Sequence, residues 1–223
     1  MNEGSARRRL VECCHLLYER GLTFSAGGNV SVRLDGKAIL ITPSGANKGL
    51  LGEDDLVKMT MGGEVVSGGK PSIEHRFHLG IYRENPGTNA IIHCHPLHCI
   101  AATLKNEGVR SCITPEGALL LGRVPTARYE TPGSQALVDA VMEYADSPAM
   151  LMDRHGAITQ GRTLEEAFNR MEELEFQAHL QLLAPDAEDL PANEIDRLKG
   201  MRRCRYWSPN GSASSSSTRG PAA

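Results

Sequence analysis

The chain has 223 residues, 40% of them hydrophobic and 23% charged, with a net charge of −3. That length can bury one full core without covalent or metal staples, and a balance this close to neutral argues against nucleic acid or anionic lipid as a partner. No apolar run approaches the ~20 residues that cross a bilayer, and Met1-Asn2-Glu3-Gly4-Ser5 lacks the apolar core of a secretion signal, so a cytoplasmic protein with no membrane partner is expected.

In chain order, residues 5–20 read as a helix, with Leu10, Cys13 or Cys14, and Leu17 on one face and Gly21 just past its end. Arg7-Arg8-Arg9 lies on that helix as a solvated face. Gly27-Gly28-Asn29 is a small-residue turn entering a strand, Asp35-Gly36 is a hairpin signal, and residues 38–41 form the returning strand. That strand ends in a second such turn, Thr42-Pro43-Ser44-Gly45, which meets the first only if the paired strands run on past the hairpin. Residues 55–61 and 64–66 form another hairpin over Gly62-Gly63. A helix over 72–84 follows, with Ser72 as its N-cap and Glu74 in its first turn.

Residues 90–95 read as a strand that passes, at Pro96, into a helix through Thr103. Next come a strand over 109–113, a turn at Thr114-Pro115-Glu116-Gly117, and a helix from Pro132-Gly133-Ser134 to Ala145. Ala149-Met150-Leu151-Met152 is a buried strand ending in Asp153-Arg154-His155-Gly156. Thr163-Leu164-Glu165-Glu166 is a capping box opening a helix to Leu183, its apolar face running through Leu164, Phe168, Met171, Leu174, Ala178 and Leu182. A last short helix covers 191–201. One domain over residues 1–207 is therefore expected, with a disordered Ser/Gly/Ala-rich tail at 208–223. The six cysteines (Cys13, Cys14, Cys94, Cys99, Cys112, Cys204) lack zinc-ribbon spacing and read as reduced thiols.

The chemistry centres on His93-Cys94-His95. In a strand, alternate side chains share a face, so the two imidazoles point together and Cys94 points to the core. His155 ends a second apolar strand in the same way. Three imidazoles fill three corners of a tetrahedron and leave one open, which is the arrangement of a catalytic zinc site. Glu74 is a candidate fourth ligand or general base beside it. The two small-residue turns suit a phosphate, offering backbone N–H groups and short polar side chains. Taken singly, the histidine pair is equally two unliganded residues, Glu74 is a dipole-favoured surface carboxylate, and each turn is only a turn. His15, His75, His78, His98 and His179 fall on helices as ordinary residues, with a supporting role at the site open to His75 and His98.

Five motifs in order, Gly27-Gly28-Asn29-Val30-Ser31, Thr42-Pro43-Ser44-Gly45, Lys70-Pro71-Ser72-Ile73-Glu74, His93-Cys94-His95-Pro96 and His155-Gly156, resemble the class II aldolase/adducin-head family over roughly residues 5–183. The resemblance implies an α/β fold, a three-layer α/β/α sandwich around a mostly antiparallel central sheet. It also implies a homotetramer with active sites at subunit interfaces. His93, His95 and His155 match the family's zinc ligands (another divalent metal would suit them too), and Glu74 its acid/base carboxylate. Gly28, Asn29, Ser44, Gly45 and Ser72 match positions that bind the substrate phosphate.

Several positions depart from the pattern. Ile73 replaces a serine common in the aldolases, and no tyrosine stands at Thr114 or Pro115, where aldolases receive one from a neighbouring subunit. Glu116 falls where the dehydratase branch has its catalytic glutamate, and Tyr206 falls near a C-terminal aldolase tyrosine. The expected activity is zinc-dependent cleavage of a ketose 1-phosphate, fuculose 1-phosphate or a 5-deoxy or 5-methylthio pentulose 1-phosphate. The products are dihydroxyacetone phosphate and an aldehyde, reached through an enediolate. Glu74 handles the proton at carbon, and Glu116 the proton at the C4 oxygen. The alternatives within the family are a pentulose-phosphate 4-epimerase, a methylthioribulose-1-phosphate dehydratase type and a sugar-acid-phosphate decarboxylase. Outside catalysis the alternative is an assembly module like the adducin head.

Overall fold

The computed structural model describes residues 2–35 and 37–203. Gly36, Cys204, Tyr206 and the tail at 208–223 lie outside the described residues. The first helix, α1 (Glu3–Glu19), starts where Asn2 accepts a hydrogen bond from Ser5 N, and Gly21 follows it with φ +68°. Leu10, Cys13, Cys14 and Leu17 are all buried on its inner side.

Eight strands form one sheet: β1 (Asn29–Arg33), β2 (Ala38–Ile41), β3 (Val57–Thr60), β4 (Val65–Ser67), β5 (Ala90–Cys94), β6 (Thr126–Ala127), β7 (Ala149–Met152) and β8 (Gly156–Gly161). Their spatial order is β4-β3-β2-β1-β5-β8-β7-β6, antiparallel throughout except for the parallel pair β6–β7 at one edge. The helices α1, α3 (Leu97–Leu104) and α6 (Leu164–Leu183) cover one face, burying Leu10, Cys99, Met171 and Leu174 against Val30, Ile92 and Leu151. The helices α2 (His75–Glu84) and α5 (Gln135–Met142) cover the other, burying Phe77, Ile81, Leu137 and Val141 against Ile39, Ile91, Met150 and Ile158. This is the expected three-layer sandwich, with a core on each side of the sheet. Among the described residues no helix is long and apolar enough to cross a membrane.

Several local expectations are corrected. Residues 109–113 form no strand, and Thr114 is not a turn residue but the N-cap of α4 (Pro115–Leu120), its hydroxyl accepting from Gly117 N. Proline at the first helical position and proline in a turn read alike, which hid this helix. Two strands went unforeseen. β6 is two residues long, and β8 is buried along its whole length, so its sequence shows no alternation. Pro96 is the N-cap of α3 rather than its first residue. The capping box at the start of α6 is half formed: Thr163 accepts from Glu166 N, but the Glu166 carboxylate takes Arg162 N instead of Thr163 N. On the inner face of α6, Gln177 and Gln181 are buried, while Phe168 and Leu182 are only partly so. A final helix, α7 (Ala192–Arg203), lies where the sequence places it.

Ser72 does not cap α2. The helix begins at His75, with Glu74 in the N-cap position. Ser72 forms the preceding turn instead, accepting His75 N on its carbonyl (3.1 Å) and Glu74 N on its hydroxyl (3.3 Å). The Glu74 side chain caps no helix N–H and turns inward, toward Asn29, His93 and His155.

Candidate active site

The pairings of β5 assemble the site. His93 lies opposite Asn29 on β1 and Ile158 on β8, and β7 returns through the turn that carries His155. On β5, Ile91 and His93 face the α2–α5 layer and Cys94 faces the other core, as the period of two demands. His95, one residue past the strand, closes on His93. The three ring centroids stand 4.9, 4.9 and 5.1 Å apart. Their candidate ligand atoms all lie within 4.8 Å of one another.

Glycines make this convergence possible. A β-carbon on Gly28 (φ +68°) would collide with the His93 carbonyl, and one on Gly156 with that of Cys94. Gly28 is thus needed for close packing against the His93–Cys94 backbone. Gly45 (φ +73°) is different: its α-carbon faces open space.

The donor set fits a divalent metal. His93 donates its Nδ1–H to Ala157 O (2.9 Å), which leaves the Nε2 lone pair facing the site. His93 Nε2 lies 3.2 Å from His95 Nε2. Two nitrogens bound tetrahedrally at ~2.05 Å stand ~3.3 Å apart. Burial, then the neighbouring His155, pushes the His93 pKa down to about 3, and burial followed by His93 does the same for His95. His155 is lowered by burial too. All three are therefore neutral at pH 7, as ligands must be. Glu74 completes the group, with Oε2 3.4 Å from His93 Nε2 and Oε1 3.5 Å from His155 Nε2. Among the described residues, Glu74 Oε1 is a buried acceptor without a hydrogen-bond partner, and a cation between it and the imidazoles would satisfy it.

Depressed imidazole pKa values have a consequence for stability. The folded metal-free protein keeps these rings neutral, whereas the unfolded chain protonates them near pH 6.5, so the penalty begins there and grows down to the folded values. Buried His93 alone should cost about 2 kcal/mol at pH 5. Urea unfolding of the metal-free protein at pH 7.5 and pH 5 is expected to show the midpoint falling. An equal midpoint at both pH values would show that the rings protonate freely in the fold.

The two small-residue turns do meet. Buried Lys48 donates from Nζ to Ala46 O (2.8 Å) and Ala26 O (3.3 Å), tying one turn to the other, and its burial lowers its pKa. Ser44 N donates to Lys70 O, and Ser72 N to Thr42 O. These bonds bring exposed Ser44 and Gly45 beside buried Ser72. The Asn29 amide is largely committed: Nδ2 donates to Glu74 Oε2 (2.8 Å) and Oδ1 accepts from His78 Nε2 (2.5 Å).

Glu116 lies exposed in the first turn of α4, and burial, with a smaller contribution from the Glu116 charge, raises the pKa of Glu173 on α6. Ile73 is exposed. His75 binds its own turn through Ser72 O and His98 binds Glu175, so of the helical histidines it is His78, read as ordinary, that reaches the site. One signal for it was available: His78 follows Glu74 by four residues, one helical turn.

Residues 8–182 match the family model described as the class II aldolase and adducin N-terminal domain. With this fold and this histidine group, the chain belongs to that family. It is 36% identical to a 3-oxo-tetronate 4-phosphate decarboxylase of Escherichia coli O6:H1 over 205 residues, 88% of this chain and 96% of that protein. It is also 36% identical to an L-fuculose phosphate aldolase of Methanocaldococcus jannaschii over 177 residues, 79% of this chain and 96% of that one. Among solved structures, YgbL from Escherichia coli superposes with a TM-score of 0.84 at 34% identity, over 88% of this chain and 99% of that one. An L-fuculose 1-phosphate aldolase superposes with a TM-score of 0.84 at 28% identity, over 92% and 99%.

Proposed function

We propose that this chain is a metal-dependent carbon–carbon lyase that decarboxylates a 3-oxo sugar-acid phosphate to dihydroxyacetone phosphate. The observation that carries this reading is that, among the described residues, Glu74 is the one acidic side chain in contact with the histidine trio. Carbon dioxide departs without a proton, so a single proton carrier suffices. The bond between the carboxylate carbon and C2 breaks, its electron pair passes into the C3 carbonyl as an enediolate, and Glu74 delivers a proton to C2. Solvent then restores the proton to Glu74. A divalent cation held by His93, His95 and His155, zinc by the nature of the donors, would polarise the substrate carbonyl as a Lewis acid. Ser44, Gly45 and Ser72, with backbone from Gly28 and the spare Asn29 amide hydrogen, would hold the phosphate. The sequence similarity to the decarboxylase spans 88% of this chain against 79% for the archaeal aldolase, although an aldolase structure superposes over 92%.

The second reading is aldol cleavage of a ketose 1-phosphate, favoured by the archaeal relative. It yields the same enediolate but also needs a base for the hydroxyl of the departing aldehyde. Glu116 would serve only if a neighbouring subunit of the implied homotetramer brought it in. A non-catalytic module is the weaker alternative, because it has no use for three converging neutral imidazoles. The deciding assay offers the zinc-loaded protein 3-oxo-tetronate 4-phosphate and, separately, L-fuculose 1-phosphate, measuring dihydroxyacetone phosphate and trapped carbon dioxide. Equal amounts of both products from the first substrate are expected. Turnover of the second alone, with an aldehyde and no carbon dioxide, would replace decarboxylation by aldol cleavage.

A further inference from the structure

A buried file of hydrogen bonds leads from Glu74 into the core, and the site chemistry alone does not require it. Asn29 and Ser31 stand two apart on β1 and so share the face toward α2. Glu74, His78 and Tyr82 recur every four residues along α2 and face β1. The contacts run Glu74 Oε2 to Asn29 Nδ2 at 2.8 Å and Asn29 Oδ1 to His78 Nε2 at 2.5 Å. They continue from His78 Nδ1 to Ser31 Oγ at 2.7 Å and from Ser31 Oγ to Tyr82 OH at 2.8 Å. All five side chains are buried, Ser31 and His78 completely.

One end fixes the direction of every bond. The carboxylate oxygen Oε2 accepts, so the Asn29 amide donates to it and its carbonyl faces His78. His78 then donates from Nε2. Burial holds His78 well below its ordinary pKa, so it is neutral and its Nδ1 accepts. Ser31 donates to Nδ1 and in turn accepts from Tyr82, whose phenol burial keeps protonated.

We propose that His78 is a positioning residue for Glu74: by fixing the orientation of the Asn29 amide it bars the transferable proton from Oε2 and confines it to Oε1, the oxygen that faces His155. This rests on Glu74 being the proton carrier. Without the His78 donor the amide is free to turn over, and its carbonyl would then accept a proton parked on Oε2. That arrangement points the acid's hydrogen away from substrate.

The test compares zinc-loaded wild type with His78→Leu and His78→Gln, since glutamine can place a donor where Nε2 stood. His78→Leu is expected to keep its zinc and its KM within about twofold and to lose kcat by about tenfold or more. His78→Gln should recover most of the lost kcat. Unchanged kcat in His78→Leu would overturn the proposal, as would a fall in kcat with no recovery in His78→Gln. Nitrogen-15 spectra of wild-type protein labelled at histidine provide a check that needs no variant. A His78 proton on Nε2 is expected, and one on Nδ1 overturns the proposal even if His78→Leu fails to fold. Full activity of Glu74→Gln would instead overturn the reading of the site, leaving the tautomer result standing.

Discussion

His95→Ala is expected to abolish both metal content and turnover in a chain that remains folded. His95 lies outside the β5 ladder, so removing its ring deletes no sheet pairing. It does remove one of the Nε2 pair at 3.2 Å, leaving His93 and His155 to hold a cation between them. In the metal-free protein neutral His95 can carry its hydrogen on Nε2 and donate it to His93 Nε2, so the truncation removes one part-buried hydrogen bond worth about 1 kcal/mol. The metal-free variant should therefore melt only about 2–4 °C below metal-free wild type. Zinc at a thousandfold excess over its Kd should stabilise wild type by about 4 kcal/mol and the variant hardly at all. Metal analysis of the purified variant is the decisive measurement: full occupancy would remove His95 from the ligand set.

Glu74→Gln should separate binding from chemistry. Glutamine keeps the shape and still offers an oxygen to Asn29 Nδ2, so the file of hydrogen bonds behind it stays in place. The three imidazoles remain, and zinc should too. What disappears is the proton carrier, whose loss should lower kcat by about 10²–10⁴-fold with little change in KM. A kcat equal to that of wild type would exclude Glu74 from proton transfer.

The histidine group was legible because its signal is local. His93 and His95 obey the strand period, and His155 follows a compact apolar run, so their convergence needed only the right strand neighbours. Glu74 was legible by resemblance, but its geometry was not. A residue read as lying in the first helical turn proved to be the N-cap, the helix starting two residues later than expected, and its carboxylate faces into the protein instead of capping the helix. β8 was missed because a strand buried on both faces carries no polar alternation, and its Thr159 and Gln160 are satisfied by the fold around them. His78 was missed for a related reason. Its partners lie on β1, some fifty residues away, and its meaning depends on a strand pairing that helical periodicity cannot see.

The stitching of residues 42–45 to 70–72, and through Lys48 to Ala26, has a kinetic consequence. A receptor assembled before its guest arrives has no slow rearrangement to wait for. In stopped-flow mixing, the observed rate of sugar-phosphate capture should climb in a straight line with concentration, and a plateau would reveal a closing motion between encounter and seating.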